Sequence, residues 1–258
     1  MSEGEDSPLL WQLRFSHFNE KARWALDYKK VPHRRRSLVP GRHVERSKRL
    51  GGTGTTPILK LDGEVIGDTS EIVAKLEQHQ PDPPLYPDTE IERHAVLDLE
   101  QYFGREVGPG VRTAIFHAIL PYRRVAVPLT TQGLGVGVRV MFTLGYPGIR
   151  RAVRRAMDAD DDGARRGREA TVRGLERVED ELGGREYLVG ERFSVADLTA
   201  AALLCPLVAP PEFAYDWPPA WPDEWEEFRR SLTDRPGYQW VQEMYRRHRG
   251  SSAAISDD

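Results

Sequence analysis

Three short stretches of this chain carry residues whose type and spacing could do chemistry. The first is Arg14-Phe15-Ser16-His17-Phe18-Asn19-Glu20-Lys21. A mostly apolar run, Leu9 to Phe15, ends there, and a helical pattern opens after Ser16 with Ala22, Ala25 and Leu26 on one side. A hydroxyl at that junction lies in the positive field of a helix N-terminus, where free N–H groups point at the same spot. Such a place stabilises an anion. A thiol with an ordinary pKa of about 8.5 is only a few per cent ionised at neutral pH. Lowering that value by about two units takes roughly 2.7 kcal/mol, and one donated hydroxyl hydrogen bond plus the helix terminus is of that order. Read locally, Ser16 fits an ordinary N-cap better than a catalytic group.

The second stretch is Thr55-Thr56-Pro57-Ile58-Leu59. An X-Pro bond ahead of a strand can be cis, which turns the chain and exposes the backbone of the residue before proline to a peptide-like ligand. The third is Asp68-Thr69-Ser70-Glu71. An acid and a hydroxyl at a helix start can take an ammonium and a carboxylate together, although plain capping explains them as well. A fourth motif, Phe193-Ser194-Val195-Ala196-Asp197-Leu198, is a folding signal. Ser194 and Asp197 form a capping-box variant, and Phe193 and Leu198 sit at the staple positions.

The elements that must position these residues follow from the pattern. Leu9–Phe15 reads as a strand and the stretch after Ser16 as a helix, stopped by Pro32. A second strand is expected over His33 to Ser37 and a short helix over Val44 to Leu50. Ile58 to Leu61 and Glu64 to Ile66 flank the turn signal Asp62-Gly63, and a helix with Ile72, Val73 and Leu76 follows. Residues 8–80 thus form one small α/β domain. Residues 81–88 hold four prolines within the seven residues Pro81 to Pro87 and read as a stiff linker. Residues 89–250 read as all-helical, with an amphipathic stripe over Arg168 to Leu182 and an apolar, buried helix over Phe193 to Val208 that kinks or ends near Pro206. The stretch 105–165 is long and interrupted by glycine. The last eight residues, from Ser251, are small and polar and are expected to be disordered.

Composition narrows the function classes. The 258 residues are 39% hydrophobic and 30% charged, with a net charge of −3, which gives no global pull toward nucleic acid or anionic lipid. The arginine runs carry no interleaved aromatic platform, so no nucleic-acid partner is expected. The single cysteine, Cys205, sits in an apolar run and is expected to be an inert buried thiol; a disulfide within the chain or a cysteine–histidine zinc site is excluded. The start of the chain, Met1 to Pro8, is polar and acidic and lacks the pattern of a signal peptide. A cytoplasmic setting follows as the expectation. No stretch has the length of a spanning helix, while 134–157, apolar and then basic, has the character of a peripheral membrane contact.

The order and spacing of the four motifs resemble the glutathione S-transferase superfamily, in its serine-type, bacterial-like form. The resemblance covers residues 9–85 and resumes at 187–205, where Tyr187-Leu188-Val189-Gly190 precedes the capping motif. It implies a thioredoxin-like N-terminal domain followed by an all-helical C-terminal domain. By that resemblance Ser16 is the catalytic residue, and Ser16, Phe18, Asn19, Arg42, His43, Thr56, Pro57, Asp68 and Thr69 bind glutathione. Asn19 stands where redox relatives have the second cysteine of a CxxC motif, so disulfide exchange through an enzyme cysteine is not expected. Phe18, Tyr102, Phe103 and Phe116 are expected in the second-substrate pocket between the domains. The resemblance further implies no metal and no prosthetic group, a thiol co-substrate, a small apolar electrophile, a homodimer and a role in detoxification. A non-catalytic binding or scaffolding protein of the same fold is the rival reading.

Overall fold

The computed structural model describes residues 7–258, so all but the last two residues of the acidic start lie outside it. Strand β1 (Leu9–Gln12) is the centre of a five-stranded sheet; with β2 (His33–Ser37), β3 (Ile58–Leu61), β4 (Glu64–Ile66) and β5 (Ala254–Asp257) the order is β4-β3-β1-β2-β5. It pairs in parallel with β2 (His33–Ser37) across α1 (His17–Tyr28), and antiparallel with β3 (Ile58–Leu61). β3 turns back through Asp62-Gly63 into β4 (Glu64–Ile66). Helices α2 (His43–Arg49) and α3 (Thr69–His79) complete the thioredoxin-like domain.

β1 stops three residues short of the expected strand because side chains claim its backbone. The Asn19 carbonyl oxygen accepts from the Leu13 N–H at 3.3 Å, the Ser16 N–H turns back to the Leu13 carbonyl at 3.1 Å, and Arg23 donates to the Arg14 carbonyl at 3.2 Å. Leu13 to Phe15 therefore form a turn that delivers Ser16 to the head of α1.

The linker is pinned at both sides. Leu85 and Tyr86 are buried, the Glu77 carboxylate accepts from the Leu85 N–H, and the Leu85 carbonyl accepts from the Val195 N–H at 2.8 Å. Beyond it come α4 (Glu90–Tyr102), a π-helical turn (Phe103–Val107), α5 (Gly108–Ile119) and α6 (Arg123–Thr130). Then follow α7 (Val136–Leu144), α8 (Tyr146–Ala156), α9 (Asp161–Leu182), α10 (Val195–Val208), α11 (Asp223–Arg230) and α12 (Pro236–His248). Every residue of α10 is buried, and the helix runs past Pro206 to a left-handed cap at Ala209. Its start is fixed by Asp197, which accepts from the N–H groups of Leu188 and Ser194 at 2.8 Å each. Burial nevertheless pushes the Asp197 carboxyl up to about 6.

α5 and α9 touch through small residues. A Cβ added to Gly167 would lie 2.5 Å from the Gly110 carbonyl oxygen, so only glycine permits that approach. Gly167→Val should cost about 1–3 kcal/mol, read as a fall of several degrees in the thermal midpoint. An unchanged midpoint would mean that the two helices do not meet there.

The chain end corrects an expectation. Residues from Ser251 were expected to be disordered, yet Ala254–Asp257 form β5, parallel to β2 at the sheet edge. The cause is long-range. The Ala253 N–H donates to Asp27 at 2.8 Å, and Asp257 accepts from Tyr215 at 2.8 Å and from Arg14 at 3.2 Å. Just upstream, Arg249 donates to Glu20 at 2.6 Å and to Asp27 at 2.9 Å, both on α1. The fully buried Trp24 of α1 packs on Tyr245 at 4.4 Å and on Phe193 at 5.7 Å. The helical domain thus grips the helix that carries Ser16.

Candidate functional site

Ser16 has extended backbone (φ −82°, ψ 125°) and caps α1, its hydroxyl oxygen accepting from the Asn19 N–H at 3.4 Å. That contact is long, and it uses a lone pair, so the hydroxyl proton is free to be donated. The side chain is half-buried, with one side open. Its carbonyl is held by the Glu20 N–H at 2.9 Å and by Arg23 at 3.3 Å, which fixes the residue from below.

Asn19 has no exposed surface. Its expected contact with a thiol ligand is therefore corrected to a supporting place beneath the site. Its carbonyl oxygen holds Leu13, while its amide nitrogen donates to the Thr56 hydroxyl at 3.1 Å. One buried side chain thus joins the Ser16 cap to the loop before β3. The Thr56-Pro57 bond is cis. Thr56 is half-buried, and among the described residues neither its N–H nor its carbonyl enters a hydrogen bond, so both are left for a ligand.

Asp68 caps α3. One carboxylate oxygen accepts from the Ser70 and Glu71 N–H groups at 2.8 and 3.2 Å; the other has no hydrogen bond among the described residues, and the residue is exposed. Thr69 follows, half-buried. This helix start is drawn to α1 by Lys21, which donates to the Ser70 hydroxyl at 3.2 Å and pairs with Glu100 of α4 at 2.6 Å. Burial lowers the Lys21 pKa, and Glu100 opposes the shift. Three loop ends, at Ser16, Thr56 and Asp68, therefore sit on one edge of the domain. Together they offer a hydroxyl at a helix N-terminus, a free peptide unit and an open carboxylate oxygen.

Arg42 and His43 are not joined to this group. Arg42 is exposed at the start of α2, and His43 accepts from the Gly41 N–H at 3.0 Å with its pKa lowered by burial. No hydrogen bond ties either to Ser16, Thr56 or Asp68.

The expected second-substrate wall changes in part. Phe103 has no exposed surface and belongs to the core, so it does not line a pocket. Phe116 is 8% exposed and meets Phe15 edge-on at 6.1 Å, inside a second apolar cluster. Both corrections have one cause: aromatic side chains at helical spacing serve the core first. Tyr102 is half-buried with the Arg177 guanidinium 5.3 Å from its ring, and burial raises its pKa.

Two residues missed by sequence reasoning stand beside Phe18, the half-buried neighbour of Ser16. His17 lies 4.8 Å from the Phe18 ring, and Arg112 of α5 stands over that ring at 5.8 Å. A Cβ on Gly108 would come within 2.7 Å of Phe18, so glycine there lets α5 approach. Gly108 and Arg112 are one turn apart and share a face. Burial first, and then the Arg112 charge, push the His17 pKa down to about 3, leaving a neutral imidazole. Arg112 itself has an enclosed Nε without a partner and no ion pair among the described residues. A half-buried, unpaired guanidinium is costly, which marks this spot as one that suits a ligand. The available signal was the Gly-Pro-Gly opening of α5, with an arginine one turn later.

A thioredoxin-like domain that presents a capped serine and a cis-proline peptide, locked to an all-helical domain, is the architecture of a glutathione-transferase-type protein. The chain belongs to the glutathione S-transferase superfamily: residues 10–84 match its N-terminal domain and residues 145–230 its C-terminal domain. Its fold is that of a possible glutathione S-transferase from Rhodopseudomonas palustris (15% identity, 95% of this chain and 97% of that one, TM-score 0.61). The theta class glutathione S-transferase from Xanthomonas axonopodis pv. citri, solved with glutathione bound, is also similar (18% identity, 91% and 96%, TM-score 0.55). Among curated proteins, maleylacetoacetate isomerase of Dictyostelium discoideum is 25% identical over 123 residues, a match spanning 46% of this chain and 56% of that protein. Among the described residues, no helix is long and apolar enough to cross a membrane.

Proposed function

We propose that this protein binds glutathione, or a related low-molecular-weight thiol, and adds its thiolate to an electrophilic, largely apolar substrate. The observation that carries this reading is the Asn19 bridge, which holds the Ser16 hydroxyl and the unpaired Thr56 peptide in one frame. The Thr56 N–H and carbonyl pair with the cysteinyl backbone of the ligand. The open oxygen of Asp68 takes its α-ammonium, and Thr69 with the α3 N-terminus takes the α-carboxylate. The Ser16 hydroxyl donates to the sulfur, and the α1 terminus adds its field. No bond to the enzyme forms: the thiol releases its proton to solvent, the thiolate forms a sulfur–carbon bond to the electrophile, and the bond to the leaving group breaks as that group departs with its electron pair. Cys205 has no part in this, because it is fully buried and burial holds its thiol protonated.

Phe18 and Arg112 form the floor on which the electrophile rests. Arg112 steadies an electron-rich or anionic group on it. Arg112→Ala should raise the KM for such an electrophile about tenfold while leaving the thiol's Kd unchanged, as steady-state kinetics beside a binding titration would read. A matching loss of thiol affinity would place Arg112 in the thiol subsite instead. The same reading includes a homodimer in the cytoplasm and a role in detoxification. The experiment for the whole reading is conjugation of a generic aryl halide by the purified chain. Thiol binding without turnover would favour the non-catalytic alternative.

A further inference from the structure

Between Glu106 and Asp158 the chain contains eight arginines, no lysine and no acidic residue, although its net charge is −3. Every one of these arginines except Arg112 is exposed. None of the eight makes an ion pair among the described residues, whereas the arginines of α9 and α12 are largely paired with glutamates. Four of them, Arg150, Arg151, Arg154 and Arg155, fall on one side of α8, opposite Tyr146, Ile149, Val153 and Met157, which pack inward.

The helix just before, α7, is apolar on its outer side. Val136 and Leu144 are each 79% exposed, Val140 50% and Met141 47%. Val136, Val140 and Leu144 follow at four-residue spacing and make a ridge, while Phe142 and Val138 turn to the core. Arg139 and Thr143 edge a shallow groove along that ridge. α7 and α8 are joined directly through Gly145.

We propose that the α7–α8 face is a docking surface for an anionic lipid bilayer, with the Val136–Leu144 ridge entering the interface and the arginines meeting lipid phosphates. The charge is complementary to such a surface and is left unspent inside the protein. An exposed aliphatic ridge on α7, followed directly by exposed arginines on α8, supplies the two contributions that hold a peripheral element on an anionic bilayer, apolar burial and phosphate attraction. A protein partner fits less well. The ridge offers aliphatic side chains on an open surface, without the enclosed aromatic anchor that carries protein–protein affinity. Nucleic acid fits less well again, because an exposed aliphatic ridge contributes nothing to phosphate or base contact. The proposal stands independently of the thiol reaction, though it would bring the enzyme to where apolar electrophiles collect.

The test is flotation of the full chain with phosphatidylcholine vesicles, with and without phosphatidylglycerol. The protein should float with the anionic vesicles only, and raised salt should release it. Two variants, Val136→Ser/Val140→Ser/Leu144→Ser and Arg150→Ala/Arg151→Ala/Arg154→Ala/Arg155→Ala, should each lower the bound fraction more than tenfold. Both change exposed side chains, so their thermal midpoints and thiol binding should match the parent. Failure to float with anionic vesicles, or equal flotation with both vesicle types or of both variants, overturns the proposal. So does a dimer that the ridge variant converts to monomer in sedimentation, since the face would then join two copies of the chain.

Discussion

Ser16→Ala should lower kcat/KM for thiol conjugation by about 10- to 100-fold at neutral pH, because a hydrogen bond to an ionised group contributes roughly 1.5–3 kcal/mol. The pH dependence carries more information than the size. A depressed thiol pKa raises the thiolate fraction most between the depressed and the ordinary value. The defect of the variant should therefore shrink as pH rises through about 8.5, where even an unassisted thiol ionises. Ser16 also caps α1, and losing that cap costs about 1 kcal/mol. Ser16→Thr tests the hydroxyl itself, since it keeps both the hydroxyl and the cap. It should restore most of the activity. A defect that stays constant across pH would mean that Ser16 does not act on the thiolate.

The largest loss of stability is expected at Asp27. Its carboxylate accepts from Arg35 at 2.7 and 2.9 Å, from Arg249 at 2.9 Å and from the Ala253 N–H at 2.8 Å. It therefore ties α1, β2 and the chain end together. Asp27→Ala leaves two buried guanidiniums without it and should cost about 3–5 kcal/mol. It should also release β5, read as fast amide exchange of Ala254–Asp257. Burial works to raise the Asp27 carboxyl, but Arg249 and Arg35 outweigh it and the net shift is downward. The folded value lies below the unfolded one, so this contribution is complete above about 3.8 and is lost as pH falls through the folded value. The parent protein should lose stability there more steeply than the variant. A midpoint within a degree of the parent would show that the network is dispensable.

Much of this architecture is readable from neighbouring residues. Pro57, Asp62-Gly63, Asp68 and the Ser194–Asp197 cap act over a few positions, and each marks the element boundary found in the structure. What stayed hidden depends on partners far along the chain. β1 is cut short by Asn19 and Arg23, and β5 exists because Asp27 and Tyr215, more than 40 residues away, hold it. Of the candidate site, Ser16, Thr56 and Asp68 were legible because helix caps and X-Pro bonds have local signatures. Asn19 was named, but its buried bridging place was not, since sequence gives no depth. Phe103 misled because an aromatic residue on a helix looks the same whether it faces a pocket or a core. Arg112 was missed because its meaning lies in lacking a partner, which only three-dimensional packing reveals.

The central claim is that the edge formed by Ser16, Thr56 and Asp68 holds a thiol. Titration of the purified chain with glutathione and other cellular thiols, followed by the thermal midpoint, tests it most directly. A ligand at about 100 times its Kd stabilises the folded state by about 2.7 kcal/mol, which corresponds to a rise of several degrees. The account predicts such a rise with at least one thiol at millimolar concentration, and a smaller one in Asp68→Ala. A midpoint that no thiol moves at that concentration would contradict it.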